Sequence, residues 1–243
     1  MATNPGTTGL VSWWGLNETA PSNALDSHGT NELVETSGTI GSTAGLVGGC
    51  RDFELGDSEY FSIPSNASLV FADEPLTVGA WVNLESKADN TGIMGKYNTA
   101  NKREYLLAYT QTVDRFMFYV SATGTATVAA TASVFGAPGT AAWLFVVGYH
   151  DPTANTIGIS VNAGAETPIA HTTGIFSGTT QFNFGNFYNS GVSDYYLDGK
   201  MDEAFLYRRV LTADEISWLY NSGVGRAYSE LIIPSGHTQI III

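Results

Sequence analysis

The stretch GKMDEAFLYRRVLTADEISWLY, residues 199–220, decides the fold of this chain. Apolar and aromatic residues follow Asp202 in a run that is short enough for a β-strand. Thr212 then offers a hydroxyl to begin a helix, and Glu215 stands three residues later, which is the spacing of a capping box. Gly223 lies where the end of a helix favours a left-handed residue. The stretch therefore predicts a strand, a turn and one short capped helix.

The rest of the chain is typical of an all-β domain. Of its 243 residues, 44% are hydrophobic, 12% are aromatic and 14% are charged, so the composition indicates a globular chain with a substantial core. Short runs rich in Val, Ile, Tyr, Phe and Trp are separated by clusters of Gly, Asn, Thr and Pro, which is typical of a sandwich or jelly roll. These runs are Thr77–Leu84, Tyr105–Tyr109, Arg115–Ser121, Trp143–Tyr149 and Thr156–Asn162.

Six segments of the chain occur in an order that is typical of one family. They are Leu10–Glu18, Asp26–Asn31, Phe53–Pro64, Leu76–Val82, Trp143–Asp151 and Gly199–Tyr220. Each segment is a weak motif alone, but together they resemble the laminin G-like domain of the concanavalin A-like lectin/glucanase superfamily. The resemblance implies an all-β fold, a two-sheet antiparallel jelly-roll sandwich with one short C-terminal helix.

The same motifs divide the chain into three parts. Residues 1–8 are expected to be a flexible N-terminal arm, residues 9–221 the laminin G-like domain, and residues 222–243 a C-terminal tail. The tail has two apolar runs around Pro-Ser-Gly, which predict two short strands. Three outcomes stay open: the tail packs on its own sandwich, adds a strand to a neighbouring subunit, or is disordered. The predicted assembly residues are Ile232, Ile233, Ile240, Ile241, Ile242 and Ile243.

Net charge limits the classes of partner, and the cysteine count excludes an intrachain disulfide. The net charge is −13, from 23 acidic and 10 basic residues, which disfavours long-range binding to nucleic acid or to an anionic membrane. No run of apolar residues is long enough to span a membrane, and no secretory signal is present. We therefore expect either an excised piece of a longer protein or a protein of the extracellular or virion surface that leaves its cell by another route. Cys50 is the one cysteine, so it forms no intrachain disulfide.

Catalysis is disfavoured. Glycosidases need two carboxyl groups that face one another across a groove, and the nearest local match is Asp52 and Glu54. Gly56 breaks the strand that would extend this pair, and the four histidines show no spacing that implies a triad or a zinc site. The chain is therefore predicted not to be an enzyme.

A calcium site is a sharper hypothesis. The turn from Asp26 to Asn31 offers carboxylate, amide and carbonyl oxygens, which hard cations prefer. The resemblance implies that the first-turn Asp26 and the Asp202 of the closing strand contribute to one calcium site. The alternative is that Asp26 makes an Asx turn and that Asp202 accepts backbone hydrogen bonds.

Carbohydrate binding requires exposed aromatic side chains with polar groups beside them. The segment from Phe182 to Gly191 alternates polar and aromatic residues and then becomes a loop, where binding residues concentrate. Phe182 and Phe184 are expected in the core. The predicted carbohydrate-binding residues are Tyr188, Asn189, Tyr195 and Tyr196.

Two functions from different classes follow. The first is a non-enzymatic structural or adhesive surface module, such as a virion decoration or fibre protein, that joins a protein partner or a homo-oligomer through its C-terminal tail. The alternative is a lectin-like carbohydrate-binding module that depends on calcium. A glycan hydrolase or lyase is the weakest hypothesis, and fold alone does not decide among the three.

Overall fold

The computed structural model describes residues 2–232, which form seventeen β-strands and two short α-helices. The strands are β1 Leu10–Trp14, β2 Val34–Ser37, β3 Gly41–Ala44, β4 Gly49–Phe53, β5 Tyr60–Ile63, β6 Leu76–Leu84, β7 Thr91–Lys96, β8 Tyr105–Thr110, β9 Arg115–Val120, β10 Val128–Thr131, β11 Trp143–Asp151, β12 Thr156–Val161, β13 Ile169–Ala170, β14 Phe182–Phe184, β15 Phe187–Asn189, β16 Val192–Asp194 and β17 Gly199–Tyr207. The helices are α1 Ala213–Tyr220 and α2 Tyr228–Leu231.

Most of the strands belong to two antiparallel sheets that pack as a sandwich. The eight-stranded sheet has the order β13-β12-β11-β6-β17-β4-β3, and β1 pairs with β17 beside β4. The seven-stranded sheet has the order β10-β9-β8-β7-β14-β5-β2. A small hairpin of β15 and β16 forms a separate two-stranded sheet. This architecture confirms the predicted jelly-roll sandwich.

The main core lies between the two sheets. Strand alternation places one side chain in two against the opposite sheet, as β9 shows with Phe116 and Phe118 fully buried. Trp14 stacks on Phe182 with ring centroids 5.6 Å apart and meets Phe184 edge-on at 4.9 Å. Each such buried aromatic stabilises the fold by about 1.5–3 kcal/mol. The expectation that Phe182 and Phe184 are core residues is therefore confirmed.

A second apolar layer covers the outer face of the eight-stranded sheet. Helix α1 begins with the predicted capping box, because the Thr212 hydroxyl accepts from Glu215 N and the Glu215 carboxylate accepts from Thr212 N. Its buried side chains, Ile216 and Leu219, join a cluster that also contains Trp81. The helix ends at Tyr220, and the left-handed residue that follows it is Asn221, with φ 48°, rather than the expected Gly223.

The N-terminal residues lie against this second layer, which differs from the expected flexible arm. The Asn4 side chain donates to the carbonyl oxygens of Glu230 and Leu231. Gly6 O accepts from the Tyr207 hydroxyl at 2.8 Å, and Pro5 O accepts from Arg209 at 3.0 Å. In these contacts, backbone carbonyl oxygens accept hydrogen bonds from side chains distant in sequence. The polar composition of residues 1–8 alone does not predict such partners.

The beginning of the tail is helical where a strand was expected. Leu231 ends α2 and is buried in the second apolar layer, and Glu230 Oε1 accepts from Ala227 N at 3.0 Å to begin this single turn. Arg226 holds the turn by donating to Glu230 Oε2. At Leu231, local capping and burial therefore override the β-propensity of the sequence. The second predicted strand lies outside the described residues.

A buried histidine pair lies at one end of the eight-stranded sheet. The ring centroids of His150 and His171 are 5.4 Å apart. His150 Nδ1 is 3.1 Å from the carbonyl oxygen of Glu74, and its Nε2 is buried with no hydrogen-bond partner in the described chain. Burial is the main cause that lowers the pKa of His150 below its ordinary value of 6.5, the Glu74 carbonyl opposes this shift, and His171 adds to it.

We predict that His150 makes stability depend on pH. Since its pKa is lower in the folded state, the unfolded chain takes up the proton first, and stability falls as the pH drops below about 6.5. Urea unfolding at several pH values between about 7 and 5 should show a shallower decline for His150→Asn than for the wild type. His28→Asn, which removes an exposed histidine, should keep the wild-type slope. Equal slopes for wild type and His150→Asn would contradict the prediction.

The capping box gives a second stability prediction. Thr212→Ala removes the side-chain acceptor for Glu215 N and should lower the free energy of unfolding by about 1 kcal/mol. Thr212→Ser keeps the hydroxyl and should stay close to the wild type. Urea unfolding of the three proteins measures the difference, and an alanine variant as stable as the serine variant would show that the cap contributes nothing.

Candidate functional site

The outer face of the seven-stranded sheet carries a small aromatic cluster. The antiparallel register pairs Leu106 with Tyr119 and Thr110 with Arg115, so these side chains share one face of the sheet. Phe116 and Phe118 point the other way into the core, which fixes Tyr119 as outward-facing. Leu106 and Tyr119 pack against Tyr97 in a cluster of their own. This face therefore presents an aromatic surface that the core does not use.

The hairpin of β15 and β16 covers one side of this face. Gly92 approaches it so closely that a Cβ there would lie 2.4 Å from the carbonyl carbon of Asn186. Gly92 N donates to Tyr195 O at 2.9 Å, and Tyr188 N donates to Tyr97 O at 3.1 Å. Only glycine leaves room for the Asn186 backbone at this distance. Gly92 of β7 therefore fixes the position of the hairpin on the sheet.

Sheet and hairpin together form a pocket of about 180 Å³. Phe187 and Tyr195 of the hairpin stack with ring centroids 4.5 Å apart and 16° between their planes. Tyr97 meets Phe187 edge-on at 5.5 Å. The pocket is thus a concave, mainly aromatic site. The residues that line it are Asn90, Tyr97, Thr99, Leu106, Ala108, Tyr109, Thr110, Tyr119, Phe187 and Tyr195.

Hydroxyl and amide groups supply the polar part of the pocket. The Tyr119 and Thr110 hydroxyls are 2.8 Å apart. Burial raises the pKa of Tyr97, and Arg103 and Thr127 oppose part of this shift. The Tyr97 hydroxyl therefore stays protonated and can donate a hydrogen bond. None of the described residues lining the pocket carries a charged side chain. Such a site can stack an apolar ring face and hydrogen-bond hydroxyl groups around it.

The predicted carbohydrate-binding residues fall on both sides of the hairpin. Tyr195 lines the aromatic pocket, whereas Tyr188 faces a neighbouring one, where its hydroxyl accepts from Gln181 Nε2 at 2.8 Å. Tyr196 packs near Tyr60 with ring centroids 6.2 Å apart. Asn189 is held inside the hairpin by Thr99 and Asp194. The structure therefore brings one of the four into the aromatic pocket.

Two pocket residues that sequence reasoning passed over are Tyr119 and Phe187. Tyr119 alternates with the core residues of β9, so period-two patterning could have placed it outward. Phe187 was indistinguishable in sequence from its core neighbours Phe182 and Phe184. Only the turn at Gly185, with φ 81°, separates it from the core strand.

Asp26 and Asn31, two of the predicted calcium ligands, lie together in the first turn. Asp26 Oδ1 accepts from the backbone N of Trp13, His28 and Gly29, and Asp26 Oδ2 accepts from Asn31 N. The Asn31 side chain is buried and bonds to Ser12, Asn66 and Ser68. Both side chains are thus already hydrogen-bonded, within the turn and to residues outside it.

Asp202 has a different set of partners. Its Oδ2 accepts from Leu46 N and Val47 N, both at 2.8 Å, and its Oδ1 is buried with no hydrogen-bond partner among the described residues. Burial raises the pKa of Asp202 to about 7 and that of its neighbour Glu203 to about 9. Trp13 Nε1 donates to Glu203. Among residues 2–232, Asp202 and Asp26 share no hydrogen-bond partner, and calcium stays a prediction.

An acidic group lies at the edge of the eight-stranded sheet. One carboxylate oxygen each of Asp52, Glu54 and Glu85 lie within 4.8 Å of one another. Lys200 is salt-bridged to Glu85 and lies 3.4 Å from Asp52. The ammonium group therefore already balances part of this charge.

The predicted assembly residues fall almost entirely outside the described chain. Ile232 is described and is 57% exposed. Ile233, Ile240, Ile241, Ile242 and Ile243 lie outside the described residues, so the assembly prediction stays open.

A sequence profile described as the concanavalin A-like lectin/glucanases superfamily matches residues 55–217, more than half of the chain. The chain belongs to this superfamily. Membership agrees with the six ordered motifs and with the sandwich fold. A comparison with curated proteins gives no match.

Solved structures with this superfamily fold include domain 4 of an extracellular arabinanase from Geobacillus stearothermophilus, in complex with arabinotriose. That domain has a TM-score of 0.64 and 17% identity, and the match covers 89% of this chain and 98% of the domain. The binding domain of Paraclostridial Mosquitocidal Protein 1 has a TM-score of 0.68, 12% identity and coverage of 89% and 53%. The binding domain of botulinum neurotoxin DC, in complex with rat synaptotagmin II, has a TM-score of 0.64, 12% identity and coverage of 89% and 52%.

This chain spans about half the length of the two toxin binding domains. At these identities the likeness shows the fold alone. Within residues 2–232, no helix is both long enough and apolar enough to cross a lipid bilayer.

Proposed function

We propose that this chain is a non-catalytic carbohydrate-binding module whose glycan ligand occupies the aromatic pocket on the outer face of the seven-stranded sheet. The observation that carries the proposal is the pocket itself, in which five aromatic rings stand beside the polar groups of Thr, Asn and Tyr side chains. Aromatic rings take up the apolar face of a sugar, and the polar groups fix its hydroxyls. A pocket of about 180 Å³ is smaller than the ~300–1,000 Å³ of drug-sized sites, so it suits one or two sugar rings of a longer chain.

The arabinanase domain supports the proposal, because a module of this fold and of nearly the same length was solved with a bound oligosaccharide. An extracellular location is part of the proposal, since polysaccharides are met outside the cell. The stacked rings of Phe187 and Tyr195, both half-buried, support a preformed site that needs little ordering when a ligand binds.

The test removes rings from the pocket. Tyr195→Ala and Tyr119→Ala should each weaken binding of the best oligosaccharide from a glycan array by about tenfold or more, the usual cost of truncating a central tyrosine. Phe135→Ala removes a partly exposed aromatic outside the pocket and should bind as the wild type does. Isothermal titration gives the dissociation constants. Binding that is unchanged in both pocket variants would place the ligand elsewhere, and no binding to any glycan would remove the proposal.

Calcium binding is proposed separately, at Asp202. Its Oδ1 is a buried carboxylate oxygen with no partner in the described chain, and a bound cation would stabilise the ionised form of Asp202. Calorimetric titration with Ca²⁺ should release or absorb heat with the wild type, raise its melting temperature, and do neither with Asp202→Asn. Titration of the wild type without heat or thermal shift would remove calcium.

A structural or adhesive role remains the second proposed function. It would place the chain on a virion or another surface, joined to neighbours through the tail. Its support is the exposed Ile232 at the end of the described chain and the four terminal isoleucines in the sequence. The two roles are compatible, because the tail and the aromatic pocket involve different residues.

A further inference from the structure

The cations of this acidic chain are divided into two groups. The chain has ten Lys and Arg residues against 23 Asp and Glu residues. Seven of the ten form salt bridges with carboxylates. Those seven are Arg51, Lys87, Lys96, Lys200, Arg208, Arg209 and Arg226. In a chain with so many carboxylates, pairing is the ordinary state of a cation.

The other three cations, Lys102, Arg103 and Arg115, have no salt bridge within residues 2–232, and all three border the aromatic pocket or the pocket beside it. Arg103 lies with its guanidinium carbon 5.9 Å from the centre of the Tyr97 ring. Arg115 stands directly across from Thr110 on the outer face of the sheet. Both Tyr97 and Thr110 line the aromatic pocket.

Lys102 lies on the other side of the hairpin. It lines a second pocket of about 180 Å³ together with Tyr188 and Gln181. Lys102 is exposed, while Arg103 and Arg115 are partly exposed. The loop that joins β7 to β8 contributes Thr99 to one pocket and Lys102 to the other, so both pockets share one rim.

The carboxylates near this rim are already engaged. Asp114 accepts from Lys87 Nζ and from the Tyr109 hydroxyl, both at 2.9 Å. Asp194 accepts from Asn189 and from the backbone N of Tyr195. Neither carboxylate forms a salt bridge with Lys102, Arg103 or Arg115 within residues 2–232. The pKa of Asp114 is lowered first by the hydrogen bond from Lys87 and to a smaller extent by the nearby charge of Arg115.

We infer that the pocket selects an anionic glycan, one that carries carboxylate or sulfate groups, with its ring in the aromatic pocket and its charge on Arg115, Arg103 and Lys102. This inference rests on the proposed function and adds the class of ligand to it. Guanidinium groups bind carboxylates and sulfates by charge-assisted hydrogen bonds, which are stronger than hydrogen bonds to neutral hydroxyls. Surface cations without a salt bridge are ordinary in proteins, but here Arg103 and Arg115 lie beside residues of the aromatic pocket and Lys102 lines the neighbouring pocket, in a chain whose other cations are paired.

The net negative charge does not prevent this binding. At physiological ionic strength charges are screened over about 8 Å, so the ligand responds chiefly to the cations beside it. Distant carboxylates slow the approach of an anion more than they weaken the bound state. Binding should therefore depend on salt through the local contacts.

The experiment compares matched neutral and anionic glycans. A glycan array presents each backbone in neutral, carboxylated and sulfated form, and the soluble probes are polygalacturonate with its methyl ester and dextran sulfate with dextran. The wild type should bind the anionic member of at least one pair about tenfold more tightly than the neutral member. Arg115→Gln and Lys102→Gln should each reduce that preference by about threefold or more, and Arg115→Lys should retain most of it.

Arg226→Gln is the matched control, because it removes the same charge from a salt bridge near α2. It should leave the preference unchanged, and melting temperatures confirm that each variant is folded. The carboxylated and sulfated arms identify which anion is recognised. Equal or tighter binding of neutral glycans would overturn this inference and leave the carbohydrate-binding proposal in place. Absence of binding to every glycan would overturn both.

Discussion

The fold depends on the way β17 is held along both of its edges. One edge pairs with β6 along most of the strand, while the other pairs first with β4 at Gly199–Met201 and then with β1 at Ala204–Tyr207. A strand near the C-terminal end of the described chain is thus bonded to one near its beginning. This pairing is of long range, and it brings the N-terminal residues, helix α1 and helix α2 onto the same face of the sheet.

The change of partner along β17 requires an irregularity, and it falls at the acidic pair. The register with β6 shifts between Asp202 and Phe205, and Glu203 has a φ of 45°. A bulge of this kind re-aims side chains, and here both carboxylates are buried beneath the outer layer. The resulting desolvation, which raises both pKa values, is offset in part by the backbone N–H groups of the 46–47 turn and by Trp13. The sequence motif that identifies the superfamily is therefore also where this sheet carries its strain.

Sequence reasoning was successful for the fold because its signals there are local or periodic. The capping box, the alternation of β9 and the ordered motifs each depend on neighbouring residues, and the structure reproduces them. It was unsuccessful where a contact spans the chain. The N-terminal residues were expected to be free, yet Asn4 bonds to the carbonyls of residues 230 and 231. Leu231 was expected in a strand, yet burial in the outer layer makes it the end of a helix.

The candidate site shows the same contrast between local signals, which the sequence carries, and contacts between distant residues, which it does not. The sequence predicts Tyr195 as a binding residue because it lies in a segment rich in polar residues, which is a local property. No such local property selects its partners in the pocket together, because they come from five separate strands and loops that only the folded sheet brings together. Tyr188 and Phe187 are adjacent in sequence, but strand alternation sends them to opposite sides of the hairpin, one into each pocket.

Net charge and local charge affect binding over different distances. A net charge of −13 argues correctly against long-range attraction to polyanions, since that attraction depends on the summed field. Recognition at contact depends instead on which cations remain unpaired after folding. Seven of the ten cations form salt bridges, and the other three lie beside the aromatic pocket or in the pocket next to it. The net charge of the chain is thus negative, whereas the side chains beside the pocket that lack a salt bridge are positive. A bound ligand contacts those side chains, so the local charge decides which ligand binds.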